Sequence, residues 1–132
     1  MFINGRWITT QNTFAVTNPA TGEVIGQMAE GDRSHAVDAI EAAATALPDW
    51  SASTAYQRAA ILLKAHQLMI ASKQSLAELM TSEQGKTLKA ALNEVQYAAD
   101  VLLWFAEESK RVYGETTPSA RADQRFIVRY QP

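Results

Sequence analysis

The chain contains no cysteine. That excludes a disulfide framework, a thiolate metal site and a thiol nucleophile. Its two histidines, His35 and His66, lie far apart and lack a companion at metal-ligand spacing, so both read as surface or boundary residues. The glycines at 5, 22, 26, 31, 85 and 114 never approach a Gly-x-Gly-x-x-Gly spacing, and no Gly-x-Ser-x-Gly elbow occurs. The longest uninterrupted apolar run, Val101 to Ala106, is far too short to cross a bilayer. Neither sign of charge dominates: 12 Lys and Arg against 14 Asp and Glu leave a net charge of -2. There is thus no electrostatic case for nucleic acid or an anionic membrane as partner. The N-terminus has neither a basic start nor an apolar core and is not a signal peptide, so a cytoplasmic protein is the default expectation.

What is present has the composition of one ordinary globular domain, long enough to bury roughly two thirds of its unfolded surface. Residues 1–30 read as β-hairpins. Phe2-Ile3 and Trp7-Ile8 flank Asn4-Gly5, a pair that supplies the positive backbone angles of a two-residue turn. Thr13 to Thr17 and Glu23 to Met28 flank Asn18-Pro19-Ala20-Thr21-Gly22, where the proline fixes its own φ and Gly22 can turn left-handed.

Residues 31–114 read as helical. Asp32 is an N-cap, and Val37, Ile40, Ala44 and Leu47 recur at helical spacing up to Pro48, which is expected to stop the first helix. Ser53 or Thr54 caps a second helix carrying Ala55, Ala59, Leu62, Leu63 and Ile70; Ser72 interrupts it, and Leu76, Leu79 and Met80 continue on a third. Gly85 reads as a C-terminal cap, and Thr87 starts the fourth and longest helix, through Val95, Ala98, Leu102 and Phe105 to Gly114. Residues 115–132 are a loop at Pro118 and one final strand over Phe126-Ile127-Val128. The fold class is therefore α+β: N-terminal hairpins, about four helices and one C-terminal strand.

Chemical motifs are scarce. Gly85-Lys86-Thr87 resembles the end of a phosphate-binding loop, but Met80 stands where that loop needs its first glycine. Glu94, Asp100, Glu107 and Glu108 read as a solvated helix face, since residues 94 and 108 lie about four turns apart. Trp50, Trp104 and Phe105 read as core anchors. The locally basic Arg121, Arg125 and Arg129 read as a solvated strand face.

The ordered set is more specific than any member of it. The Phe2-Ile3-Asn4-Gly5-Arg6-Trp7 opening, the Asn18–Ile25 turn, Trp50, Arg58, Gly85-Lys86, Glu94, Trp104-Phe105-Ala106-Glu107-Glu108 and Gly114 follow one another. In this order they resemble the N-terminal part of the aldehyde dehydrogenases, with the NAD(P)-dependent succinate-semialdehyde branch nearest. The resemblance implies the outer helical layer of the cofactor domain without its nucleotide-binding sheet. It also implies an enzyme in which a cysteine thiolate attacks an aldehyde, hydride passes to NAD or NADP, and a glutamate-activated water releases the acid.

The family's nucleophile, general base and oxyanion-stabilising asparagine match no position here, so no catalytic, cofactor-binding or metal residue is assigned. By position in the long helix, Asn93 and Tyr97 match places bordering the family's aldehyde entrance channel, and Phe126 to Tyr130 the first strand of an oligomerisation arm. The expectation is a truncated dehydrogenase segment that binds no cofactor and turns nothing over alone. Its expected partners are copies of itself, through an exposed apolar helix face or the Phe126–Val128 strand edge, or a full-length aldehyde dehydrogenase. A stand-alone interaction module is the alternative. A closed, unrelated helical bundle is a third reading, and it would expose no apolar face.

Overall fold

In the computed structural model, residues 1–131 are described. Six strands and four helices follow in the order β1 (Phe2–Ile3), β2 (Arg6–Trp7), β3 (Thr13–Thr17), β4 (Val24–Ala29), α1 (Arg33–Ala52), α2 (Ala55–Ala71), α3 (Lys73–Gln84), α4 (Leu88–Glu108), β5 (Glu115–Pro118) and β6 (Arg125–Val128). The strands pair only with their sequence neighbours, as three separate antiparallel hairpins.

Local chemistry explains the turns. Asn4 and Gly5 both take positive φ, 49° and 74°, as the tight β1–β2 turn requires. At the β3–β4 turn the Asn18 side chain accepts from the Ala20 amide at 2.9 Å, and Gly22 stands at φ 77°. That turn then meets the helices. Gly85, left-handed at φ 73°, closes α3, and a Cβ placed there would lie 2.9 Å from the Pro19 ring. One glycine thus both caps a helix and makes room for the hairpin.

Three of the four helices start on a side-chain cap that the sequence suggests, and α3 follows Ser72 without one. Asp32 accepts from the Ser34 and His35 amides at 2.9 and 3.2 Å, Thr54 from that of Gln57 at 3.2 Å, and Thr87 from that of Ala90 at 3.3 Å. The ends differ from expectation in two places. Pro48 does not stop α1, which continues to Ala52. A proline only four residues from the end forfeits a single ladder bond, and Ser53 closes the final turn by donating both its amide and its hydroxyl to the Trp50 carbonyl. The fourth helix stops at Glu108, short of Gly114, because Lys110 and Arg111 form tighter turns onto Glu107 and Glu108. Gly114 instead serves the last hairpin, where an added Cβ would sit 2.4 Å from the Val128 carbonyl oxygen. The Phe126-Ile127-Val128 segment is likewise not a lone strand: it pairs with β5, in which Pro118 is the last residue.

The core is thin. α4 packs against α2 and α3, and the buried residues are Ala59, Ala77, Ala91, Val95, Ala99 and Ala106. Alanine at the crossings lets the backbones approach closely, but only Val95 adds a larger fully buried side chain. The total accessible surface is 10460 Å². A folded monomer of 14.5 kDa exposes about 6,900 Å². The excess is apolar in large part: Trp7, Ile40, Leu47, Tyr97, Trp104, Phe105 and Ile127 are all more than half exposed. That excludes the closed, unrelated bundle.

Candidate functional site

α4 organises the region where Asn93 and Tyr97 lie. With 3.6 residues per turn, Ala91, Val95, Ala99 and Ala106 share the inward face, with Leu92 partly buried beside it. The outward face collects Asn93, Tyr97, Val101, Trp104 and, at its margin, Phe105. Asn93 and Tyr97 stand one turn apart on it, and Tyr97 is 72% exposed. The structure therefore brings the two matched residues together on one open stripe.

Trp104 and Phe105, expected in the core, belong to this outward side, with exposures of 64% and 57%; Trp50 is 44% exposed on α1. The reason is registry: Trp104 stands seven residues after Tyr97, two turns along the same face. That signal was available in the sequence but was masked by the aromatic character of the residue.

Several of the ionisable groups on and near the helices are paired. Lys86, just before the helix, forms an ion pair with Glu94. Gln96 donates to Asp100 at 2.8 Å and accepts from Lys73 at 2.9 Å. The His66 ring nitrogen Nδ1 lies 2.9 Å from the Ala99 carbonyl oxygen and ties α2 to α4. His35 is the third residue of α1, where its ring completes the cap around Asp32. Hydrogen bonds from the Ser34 hydroxyl, and then from the His35 amide and ring, hold the Asp32 carboxyl far below the usual carboxylate range. Arg121, in the loop after β5, is spent on Asp123, with two contacts of 3.0 and 2.8 Å.

A cleft of about 440 Å³ runs between the end of α1, the start of α2 and the C-terminal segment, lined by Leu47, Trp50, Arg58, Ser109 and Tyr130 among others. Arg58 donates to the Ser53 carbonyl at 2.5 Å and so braces the α1–α2 junction. Among the described residues no group of three or more His, Asp or Glu could hold a metal ion. None of their helices is long and apolar enough to cross a membrane. The stripe on α4 is a wall of aromatic, aliphatic and amide groups.

The described residues also lack the features of a dinucleotide site. That site needs the carboxyl ends of parallel strands and a glycine-rich turn into a helix. Here every strand pair is an antiparallel hairpin, and Gly85 ends a helix rather than opening one.

Comparison with known proteins supplies the wider setting. The profile of the aldehyde dehydrogenase family matches residues 7–132. The chain is 50% identical to glutarate-semialdehyde dehydrogenase of Pseudomonas putida, over 99% of this chain and 28% of that protein. It is 48% identical to the NADP(+) succinate-semialdehyde dehydrogenase of Escherichia coli, over 98% of this chain and 27% of that one. The crystal structure of an aldehyde dehydrogenase from Brucella melitensis biovar abortus superposes with a TM-score of 0.90 at 49% identity, covering 95% of this chain and 26% of that one. The chain thus spans about a quarter of the length of the curated relatives it matches. By profile, sequence identity and fold, the chain belongs to the aldehyde dehydrogenase family.

Proposed function

We propose that these residues are the N-terminal outer layer of an NAD(P)-dependent dehydrogenase of an ω-carboxylated aldehyde. Succinic semialdehyde is the first substrate to try and glutaric semialdehyde the second. Relatives named for each of these are 50% and 48% identical to this chain, which supports the class more strongly than the chain length of the aldehyde. In this reading residues 1–30 are leading hairpins, 31–114 the helical layer, and 115–132 a loop and the start of an oligomerisation strand. Asn93 and Tyr97 border the aldehyde entrance. NAD or NADP is held by the rest of the enzyme, as is the thiol that this chain lacks.

The observation that carries the reading is the surface. About 3,600 Å² more is exposed than a folded monomer of this mass requires. That excess falls in the range of obligate, core-like interfaces. Taken alone, the 132 residues are expected to form no NADH or NADPH from either semialdehyde.

The test is a chimaera in which they replace the matching N-terminal segment of the E. coli enzyme. Turnover of succinic semialdehyde supports the proposal. A folded, cofactor-binding chimaera without turnover contradicts it. Tyr97→Ala in the active chimaera should raise KM about tenfold with kcat little changed, the signature of a residue that contributes only to binding.

A second reading is favoured by the same open surface. The segment can act as an interaction module, pairing with itself through the α4 stripe or the β6 edge, or docking on a full-length relative. Its localisation is proposed to be cytoplasmic.

A further inference from the structure

Of the four asparagines, Asn4, Asn12, Asn18 and Asn93, the first stands apart. Asn4 is followed by Gly5, and the two form the exposed tip of the β1–β2 turn, with φ of 49° and 74°. Among the described residues Asn4 is the one non-glycine residue with a positive φ. Little holds this tip shut. β1 and β2 are two residues each, neither contains a buried residue, and Trp7 is 82% exposed. Their ladder is Phe2 opposite Trp7 and Ile3 opposite Arg6, extended by a bond from the Ile8 amide to the Met1 carbonyl. A hairpin of that size opens readily.

We propose that Asn4 is a modification site, converted to isoaspartate through a cyclic imide when the turn opens. The Gly5 backbone nitrogen attacks the side-chain amide carbon of Asn4. A new C–N bond forms, the bond to the side-chain nitrogen breaks, and ammonia leaves with the Gly5 amide proton. Water then opens the ring. Opening at the side-chain carbonyl gives aspartate, and opening at the backbone carbonyl gives isoaspartate, in which the chain runs through the former side chain. Water is the sole co-reactant and nothing is oxidised or reduced. Gly5 favours the attack because it has no Cβ to crowd its nitrogen and its backbone swings freely, with open space around it.

The other three asparagines are each protected by a different feature. Asn18 precedes Pro19, which has no N–H to act as nucleophile, and its side chain already accepts from the Ala20 amide. Asn93 lies inside α4, where the following amide is committed to the helical ladder. Asn12 precedes the branched Thr13 of β3, and its carbonyl accepts from the Glu30 amide at 3.0 Å and the Thr10 hydroxyl at 2.6 Å. The chain thus carries its own controls.

The two products differ in consequence. Asp-Gly fits the same tight turn as Asn-Gly, so aspartate leaves the hairpin intact. Isoaspartate adds a methylene to the backbone where the turn has room for two residues only. The Phe2 and Trp7 rings, edge to face at 5.2 Å, then lose their register. β1 is also the strand that lies on α1: Phe2 and Ile3 line a groove with Ala39, Ala42, Ala43 and Ala46. The site is therefore coupled to the helix that has no buried residue of its own. None of this chemistry depends on the dehydrogenase assignment.

Incubation of the 132-residue chain at mildly alkaline pH, followed by tryptic mapping, reads the site directly. Asn4 should be lost first, with isoaspartate exceeding aspartate in the peptide that ends at Arg6. The rate should rise with pH, because hydroxide removes the Gly5 amide proton. Hydrogen exchange of the converted chain should quicken in β1, β2 and α1 and stay unchanged in α4. Asn4→Asp should exchange as the fresh chain does, which separates the altered backbone from the added charge. Earlier loss of Asn12 or Asn93 overturns the proposal, as does conversion of Asn4 to aspartate alone, the mark of direct hydrolysis. Unchanged exchange in α1 after full conversion overturns the coupling to that helix.

Discussion

α1 and α4 are nearly equal in length, at 20 and 21 residues, and both are rich in alanine. They stand for different reasons. α4 carries four of the six buried residues, whereas α1 buries none and packs chiefly against the short β1 strand. α1 is held by local terms: alanine propensity, a reciprocal cap between Asp32 and His35, and a serine-closed last turn. α4 is held by close contact with α2 and α3. A helix can thus be well specified by its sequence while its apolar positions, here Val37, Ile40 and Leu47, still await cover.

The sharpest way to break this comparison is to enlarge one alanine in each helix. Ala91 is fully buried against Ala77 and Val95, so Ala91→Leu should cost about 1–3 kcal/mol through overpacking. Ala44→Leu, on the exposed side of α1, should stay within about 0.5 kcal/mol. Urea unfolding of the two variants reads the difference, and equal losses would show that α1 is packed after all.

Next in size is the joint between hairpin and helices. Gly85→Ala combines a left-handed φ with a clash on Pro19 and should cost about 1–2 kcal/mol. Gly26→Ala meets open space at an ordinary backbone angle and should be neutral or slightly stabilising. A smaller effect is expected at the caps. Thr54→Ala should cost about 1 kcal/mol, and Thr87→Ala less, since Thr54 belongs to a reciprocal capping box with Gln57 and Thr87 makes a single cap bond. Thermal melts of the two variants rank them.

The smallest effect is a pH dependence confined to α1. The Asp32 carboxyl is depressed in the folded chain, so its stabilisation is complete above the unfolded value of about 3.9 and is lost as pH falls below it. Helicity should decline in that acid range. Asp32→Asn, which keeps an acceptor without the charge, should remove the dependence. A decline of the same size in the variant would assign the effect to other carboxylates.

The parts legible from sequence were those fixed within a few residues. The Asn4-Gly5 and Asn18–Gly22 turns, the caps at Asp32, Thr54 and Thr87, and the left-handed Gly85 all depend on local backbone chemistry. The order of these features carried the family. What escaped was set by distant contacts. Pro48 looked like a stop because its last-turn position could not be known, and Gly114 looked like a helix end because its neighbour, Val128, lies in the partner strand. Trp50, Trp104 and Phe105 looked buried because hydrophobicity predicts burial only where something is present to bury against. Asn93 and Tyr97 lie on one exposed stripe of α4, as their spacing of four residues dictates.

Native-state hydrogen exchange of the 132-residue chain, resolved along the sequence, tests the central contrast most directly. The account predicts that the slowest amides lie in α2, α3 and α4, centred on Ala91 to Ala99, while α1 and the hairpins exchange much faster. Protection of α1 equal to that of α4 would contradict it, because a helix with no buried residue has nothing but its own ladder to hold it closed.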